Sequence, residues 1–294
     1  GDETFHKHID LDRVNGIRFE GCSFSADRNV ENVSQWCSGI AAYNAGFAVN
    51  SYCSDNTIQP CLDEYLTKSS FSGFHSGIYV RGGSTSYTYN VRNAEFTNND
   101  RGIYAENTGY GTILFNDFIV GTDADCSFGI YMNETTGFCI EENNFIGDEK
   151  SSSYNYGIGI HNSASANNIY RNTFQSLDCG NVAVGVNITG KTSSMSKQGG
   201  LTYACNTNIS NINDFCVVRE NSSGDIAQNQ GSSTLPAGNT FSGSQYHFYN
   251  DGDDVINYYY SLSKFQQPHG DKLYRVTAIA ANDGNDCSSH YGNN

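Results

Sequence analysis

Proline and methionine are nearly missing from this 294-residue chain, with 3 and 2 copies, and one tryptophan accompanies 20 tyrosines and 17 phenylalanines. No apolar run approaches the ~20 residues that a membrane-spanning helix needs, so membrane insertion is not expected. Basic residues are scarce too. Sixteen Lys and Arg stand against 31 Asp and Glu, a formal charge of −15, which repels nucleic-acid phosphates and the anionic face of a membrane and removes both as expected partners. No stretch carries an apolar stripe at helical spacing over three or four turns. There is no CxxC pair and no Cys/His cluster at zinc-finger spacing. The opening GDETFHKH has no charged-then-apolar export pattern, so an export signal is expected outside this stretch.

What remains is rich in turn formers. Thirty-one glycines and abundant Asn, Ser and Thr imply a β-rich chain of tight turns. Ten cysteines suit disulfides in an oxidising compartment. Their pairing is not readable from sequence, although Cys53 with Cys61 and Cys126 with Cys139 would each close a local loop.

A period runs through the middle of the chain. Units of the form G-I-x-apolar begin at Gly77, Gly102, Gly129 and Gly157, and Ala183-Val184-Gly185-Val186 reads as a fifth, giving steps of 25, 27, 28 and 26 residues. Between them recurs an apolar residue, an Asn-rich turn and a phenylalanine: Val91 to Phe96, Ile113 to Phe118, Ile140 to Phe145 and Ile169 to Phe174. A unit this short cannot bury its own apolar side chains, whereas stacked copies bury a continuous core. The expected fold is therefore all-β, a single-stranded right-handed parallel β-helix. Strand alternation places Ile78, Ile103, Ile130, Ile158 and Val184 in one interior column. It places Val80, Ala105, Met132, Ile160 and Val186 in the next. Phe96, Phe118, Phe145 and Phe174 form an aromatic stack, and Asn116, Asn143 and Asn172 form an Asn ladder at a bend, where Asn tolerates left-handed backbone and its amide bonds along a row of identical neighbours. The alternative, an antiparallel sandwich, calls for closer strands and NG or DG hairpins, which are few in the repeats. The helix is expected over residues 1–249. Residues 250–294 lack the repeat and are expected to form a less regular capping or connecting β segment over an open solenoid end.

The ordered series VNGIRFEGCSF, NNDRGIYAEN, TGFCIEENNFIG, NNIYRNTF, GGLTYACNTN, PAGNTF and INYYYS resembles the pectate-lyase-like parallel β-helix region of large exported Bacteroidetes proteins of the type IX secretion kind. That resemblance covers most of the chain and implies an extracellular or cell-surface location with an adhesive role. It also implies that this stretch, with no sorting domain of its own, belongs to a longer protein.

For catalysis, a lyase on such a fold needs acids that hold calcium beside an Arg or Lys that takes a proton next to a uronate carboxyl group. The nearest candidates are Asp123, Asp125, Glu141 and Glu142 with Arg92, Arg101 and Arg171. Arg171 shares a column with Glu142, so a surface ion pair is the simpler expectation. Of the hydrolase N-T-D, D-D and G-H-G series only Asp253-Asp254 is present. For binding, Tyr79, Tyr104 and Tyr131 occupy equivalent outward positions on three successive coils, a ladder able to meet sugar rings, with sheet packing as the bland alternative. The column stops at Gly159 and Gly185, where a shallow step beside Tyr131 is expected. Asp251 to Asp254 and Asn282 to Asp286 match no complete EF-hand loop, and His6, His8 and His161 read as solvated or packed side chains rather than metal ligands. The expected function is thus a non-catalytic surface scaffold or adhesin that contacts polysaccharide or another surface protein, monomeric as an isolated stretch. No cofactor is expected, although so acidic an extracellular chain suits calcium. The alternative is a polysaccharide lyase or glycoside hydrolase of this fold.

Overall fold

A computed structural model describes residues 6–27, 37–55, 57, 61–83, 86–122, 125–148, 154–189, 199–264 and 267–291. Each coil visits three parallel sheets in turn. Among the described residues sheet A has ten strands, running from Lys7–Asp12 through Ser76–Arg81, Arg101–Glu106, Cys126–Asn133, Tyr154–His161, Cys179–Val184 and Asn213–Val218 to Leu273–Tyr274. Sheets B and C have seven each; one coil of B is Cys139–Glu141 and the matching strand of C is Asn144–Gly147. Neighbouring strands in each are one coil apart in sequence and parallel, with Ile103 opposite Ile78 and Ile130, and Phe118 opposite Phe96 and Phe145. This is a parallel β-solenoid. No helix among the described residues is long and apolar enough to cross a membrane.

The core lies between the sheets and is built of columns. Ile40, Ile78, Ile103, Ile130 and Ile158 are fully buried along sheet A, and Val49, Val91, Ile113, Ile140 and Ile169 along sheet B. On sheet C, Phe24, Phe71, Phe96, Phe118, Phe145 and Phe174 stack at centroid spacings of 4.7–5.0 Å with nearly parallel planes. That spacing is the distance between hydrogen-bonded strands, so in-register strands stack identical side chains.

The fifth repeat is displaced from its expected register. Ile158 faces Asn181 and Ile160 faces Ala183, so Val184 and Val186 do not continue the two interior columns; Val184 lies opposite His161 on the outer row. The reason is the glycine before each isoleucine. A Cβ at Gly157 would lie 2.6 Å from Phe174 and 2.5 Å from the carbonyl oxygen of Gly180, and Gly77, Gly102 and Gly129 meet the phenylalanine stack in the same way. Gly180 takes the next place in that row, and the coil aligns on it rather than on Gly185.

The Asn ladder is present and longer than expected. Asn116, Asn143, Asn172, Asn206 and Asn239 are buried. Each of the first four donates its side-chain and backbone N–H to the Oδ1 of the next, at 2.8–3.3 Å. The left-handed residue at these bends is the one before the asparagine: Phe115, Glu142, Arg171 and Cys205 have φ of +54° to +59°. The amide half of the expectation holds and the backbone half does not: asparagine serves these positions through its amide, and the left-handed turn falls to its neighbour.

Parallel pairing continues past residue 250, where Ile256–Ser261 pairs with Val276–Ala281 through six residues. Near here two buried groups titrate in opposing senses. Asp214 accepts from Asn211 at 3.1 Å and Ser244 at 2.7 Å, and burial pushes its carboxyl up to about 7. On the adjoining strand, burial, helped by Lys272 and His269, pushes His247 down to about 4. Above its ordinary 3.8, Asp214 keeps in the fold a proton that the unfolded chain has lost, so its share of stability is present at low pH and disappears as pH rises toward 7. Below its ordinary 6.5, His247 lacks a proton that the unfolded chain binds, so its share grows with pH up to that value. The two oppose each other over most of this window. Asp214→Asn is expected to give a urea midpoint that climbs from about pH 4 to 6.5, while the parent stays nearly level. An identical profile for both proteins would show that the Asp214 carboxyl ionises in its usual range.

Candidate functional site

The three tyrosines do align on the outer face of sheet A. Tyr79 pairs with Tyr104 and Tyr104 with Tyr131, their ring centroids 5.1 and 5.5 Å apart and their planes tilted by 34° and 55°. All three are half-buried. The Tyr79 hydroxyl donates to the Glu106 carboxylate at 2.9 Å, and that of Tyr104 is bonded to Asn133. Burial raises the pKa of all three phenols, so they remain neutral hydroxyls.

Two further rings extend the run, and they lie just before the glycine of their G-I units. Phe128 is 4.9 Å from Tyr131 and stacks on Tyr156 at 4.9 Å. The equivalent position two coils earlier is Ser76 and one coil earlier Arg101, so the column mixes residue types and gave the sequence no repeated letter to read. The step expected at Gly159 does not exist: a Cβ there would lie 2.8 Å from both the Phe128 and Tyr131 rings, which lean across the glycine and close the gap. Gly185 is outside this column, since Val182 pairs with Gly159.

Polar side chains line both flanks. On one side the Arg101 guanidinium covers Tyr104 at 4.8 Å and Tyr131 at 5.4 Å, a cation–π contact. Its Nη1 donates to His75 Nε2 at 2.8 Å, which leaves His75 Nδ1 to donate to Asp100 at 3.0 Å. On the other flank, Arg81, Glu106, Asn133 and His161 occupy one column, with Arg81 3.8 Å from Glu106 and His161 Nδ1 2.7 Å from Asn133. The face thus offers a ring-lined centre between two rows of planar hydrogen-bonding groups.

The acidic candidates are scattered. Asp123 lies outside the described residues, and Asp125 is exposed before the strand that begins at Cys126. Glu142 pairs with Arg171 Nε at 3.1 Å, the column ion pair expected of them. Arg92 covers the Phe115 ring at 4.8 Å. Glu141, on the outer face of sheet B, has a side chain only 2% exposed and accepts from His290 backbone N–H at 3.1 Å and Nδ1 at 2.9 Å. Asp253 meets Arg219 at 3.3 Å. Among the described residues no three His, Cys, Asp or Glu side chains are grouped as metal ligands.

Cys53 and Cys61 form a disulfide, as one of the two local pairs would have it. The other does not form: Cys126 begins a strand of sheet A and Cys139 a strand of sheet B, two sheets whose outer faces diverge, and both are free, Cys139 lying 3.2 Å from the Tyr291 hydroxyl. Cys205 instead pairs with Cys287, 82 residues away. No family model, curated protein or solved structure matches this chain.

Proposed function

We propose that the chain is a right-handed, single-stranded β-helix serving as a rigid, non-catalytic scaffold in an exported surface protein, and that the outer face of sheet A contacts an extended polysaccharide. The observation that carries this reading is the run Tyr79, Tyr104 and Tyr131 up the solenoid axis, which steps sideways along one strand to Phe128 and on to Tyr156 in the next coil, neighbouring rings lying 4.9–5.5 Å apart. The right hand follows from the crossover preference of parallel strands. Because the rings lean on one another, a sugar chain lying along the axis meets tilted ring edges, and its hydroxyls face Arg81, Glu106 and Asn133 on one side and Arg101 on the other. Two disulfides agree with an oxidising compartment.

The test is retention of the purified chain on plant, algal and host polysaccharides, with and without calcium. Combined Tyr79→Ala, Tyr104→Ala and Tyr131→Ala is expected to weaken retention by about tenfold or more, roughly 1.4 kcal/mol. The matching Tyr→Phe variant keeps the rings and separates lost contacts from lost packing. Retention unchanged in the alanine variant overturns the binding face. Release of unsaturated or reducing ends overturns the non-catalytic assignment.

A further inference from the structure

After Val276–Ala281 the chain turns back and lies as a strap across the outside of sheet B. It crosses three successive strands, Thr202–Ala204, Asn168–Tyr170 and Cys139–Glu141. Cys287 anchors it covalently to Cys205. Next along, the Tyr170 hydroxyl donates to the Ser288 carbonyl at 3.0 Å, and the Tyr170 ring stacks on His290 at 4.3 Å. The far end is held by His290 on the buried Glu141 carboxylate. Between strap and sheet is a cleft of about 620 Å³, within the roughly 300–1,000 Å³ range of ligand sites.

The chemistry of its walls defines a class of ligand. Asn168, Asn229, Thr202 and Ser232 present amides and hydroxyls, and Tyr170 and Leu235 present apolar surface. The carboxylate and the imidazole that line it are already paired, Asp286 with Lys264 at 2.5 Å and His290 with Glu141 at 2.9 Å. A charged ligand would lose its hydration without gaining a free counter-charge. A neutral polyhydroxylated ligand meets ring, amide and hydroxyl without that loss. The strap fixed at both ends also spares much of the ordering cost of binding.

We propose that this cleft is a second ligand site, separate from the sheet A face, for a short neutral oligosaccharide. Ala204 lies on its floor in register with Tyr170, so Ala204→Trp fills it from the sheet side, and Asn229→Ala trims the neighbouring strand without adding bulk. Calorimetric titration uses the full chain with neutral oligosaccharides of glucose, mannose and N-acetylglucosamine, beside uronate oligosaccharides of equal length. Neutral oligosaccharides are expected to bind, with Kd raised about tenfold or more by Ala204→Trp and several-fold by Asn229→Ala. The three-tyrosine alanine variant is expected to bind them as the parent does. No binding of any neutral probe overturns the proposal, as do tighter binding of uronates or affinity unaltered by both cleft variants. Affinity lost only in the tyrosine variant places the sugar on sheet A, which sinks the cleft and leaves the scaffold reading standing.

Discussion

Gly129→Ala is expected to lower the melting temperature by roughly 5 °C, for a loss of about 3 kcal/mol at the upper end of ordinary overpacking. The added methyl group would lie 2.5 and 2.7 Å from two atoms of the Phe145 ring and 2.8 Å from the carbonyl oxygen of Gly157. Neither neighbour has room to retreat. Phe145 is held between Phe118 at 4.7 Å and Phe174 at 5.0 Å, and the Gly157 carbonyl belongs to the adjoining strand of the ladder. Strain at one coil therefore has to be shared with the coils above and below. Gly270 is the control, since nothing lies within 4 Å of a Cβ built there and its φ is not left-handed. Gly270→Ala is expected to be neutral or slightly stabilising, through a less disordered unfolded chain. Equal melting temperatures for the two variants would show that the glycine row is not what lets the phenylalanines stack.

The same row explains what was legible in the sequence. The repeated G-I pair announced a coil because two physical needs recur together, a missing side chain facing a ring and an isoleucine filling the core beside it. Where only one need persists the letters mislead. At Gly180 the glycine is kept but asparagine replaces isoleucine, so the following Ala183-Val184-Gly185-Val186 looks more like the motif than the residues that hold the register. The core changes character at that coil: Asn208 stands where the phenylalanine stack would continue, and neither amide atom of Asn181 has a hydrogen-bond partner.

The candidate site was legible only where residue type repeated. Three tyrosines at one outward position form a visible column, whereas Phe128 and Tyr156 share theirs with Arg101 and Ser76. The strap was invisible, because Cys205 with Cys287 and Glu141 with His290 are contacts between distant segments that no local pattern encodes.

Asn143→Leu is expected to cost more than the glycine substitution, roughly 3–6 kcal/mol, because it leaves several buried groups unpaired where the side chain is near the right size. Asn143 Oδ1 accepts from the backbone and side-chain N–H of Asn116 at 3.0 and 2.9 Å. Its Nδ2 donates to the Ile113 carbonyl at 2.9 Å and to Asn172 Oδ1 at 3.0 Å. Leucine removes both halves, stranding a donor one coil earlier and acceptors on both sides, where water has no access. Asn143→Asp separates hydrogen bonding from shape. A carboxylate still accepts from Asn116, but its second oxygen faces the Ile113 carbonyl and Asn172 Oδ1, which can only accept. The folded chain therefore favours the protonated acid, and its pKa rises above the unfolded value. By linkage the penalty is smallest below the ordinary carboxylate range and grows as pH rises through it and beyond. Urea midpoints of parent, Asn143→Leu and Asn143→Asp across that range decide the matter. A penalty for Asn143→Asp that does not vary with pH would mean that the ladder position is open to solvent or free to turn its amide. A penalty that climbs with pH, beside a level one for Asn143→Leu, would show that the acceptors facing Nδ2 are what require an amide at this bend.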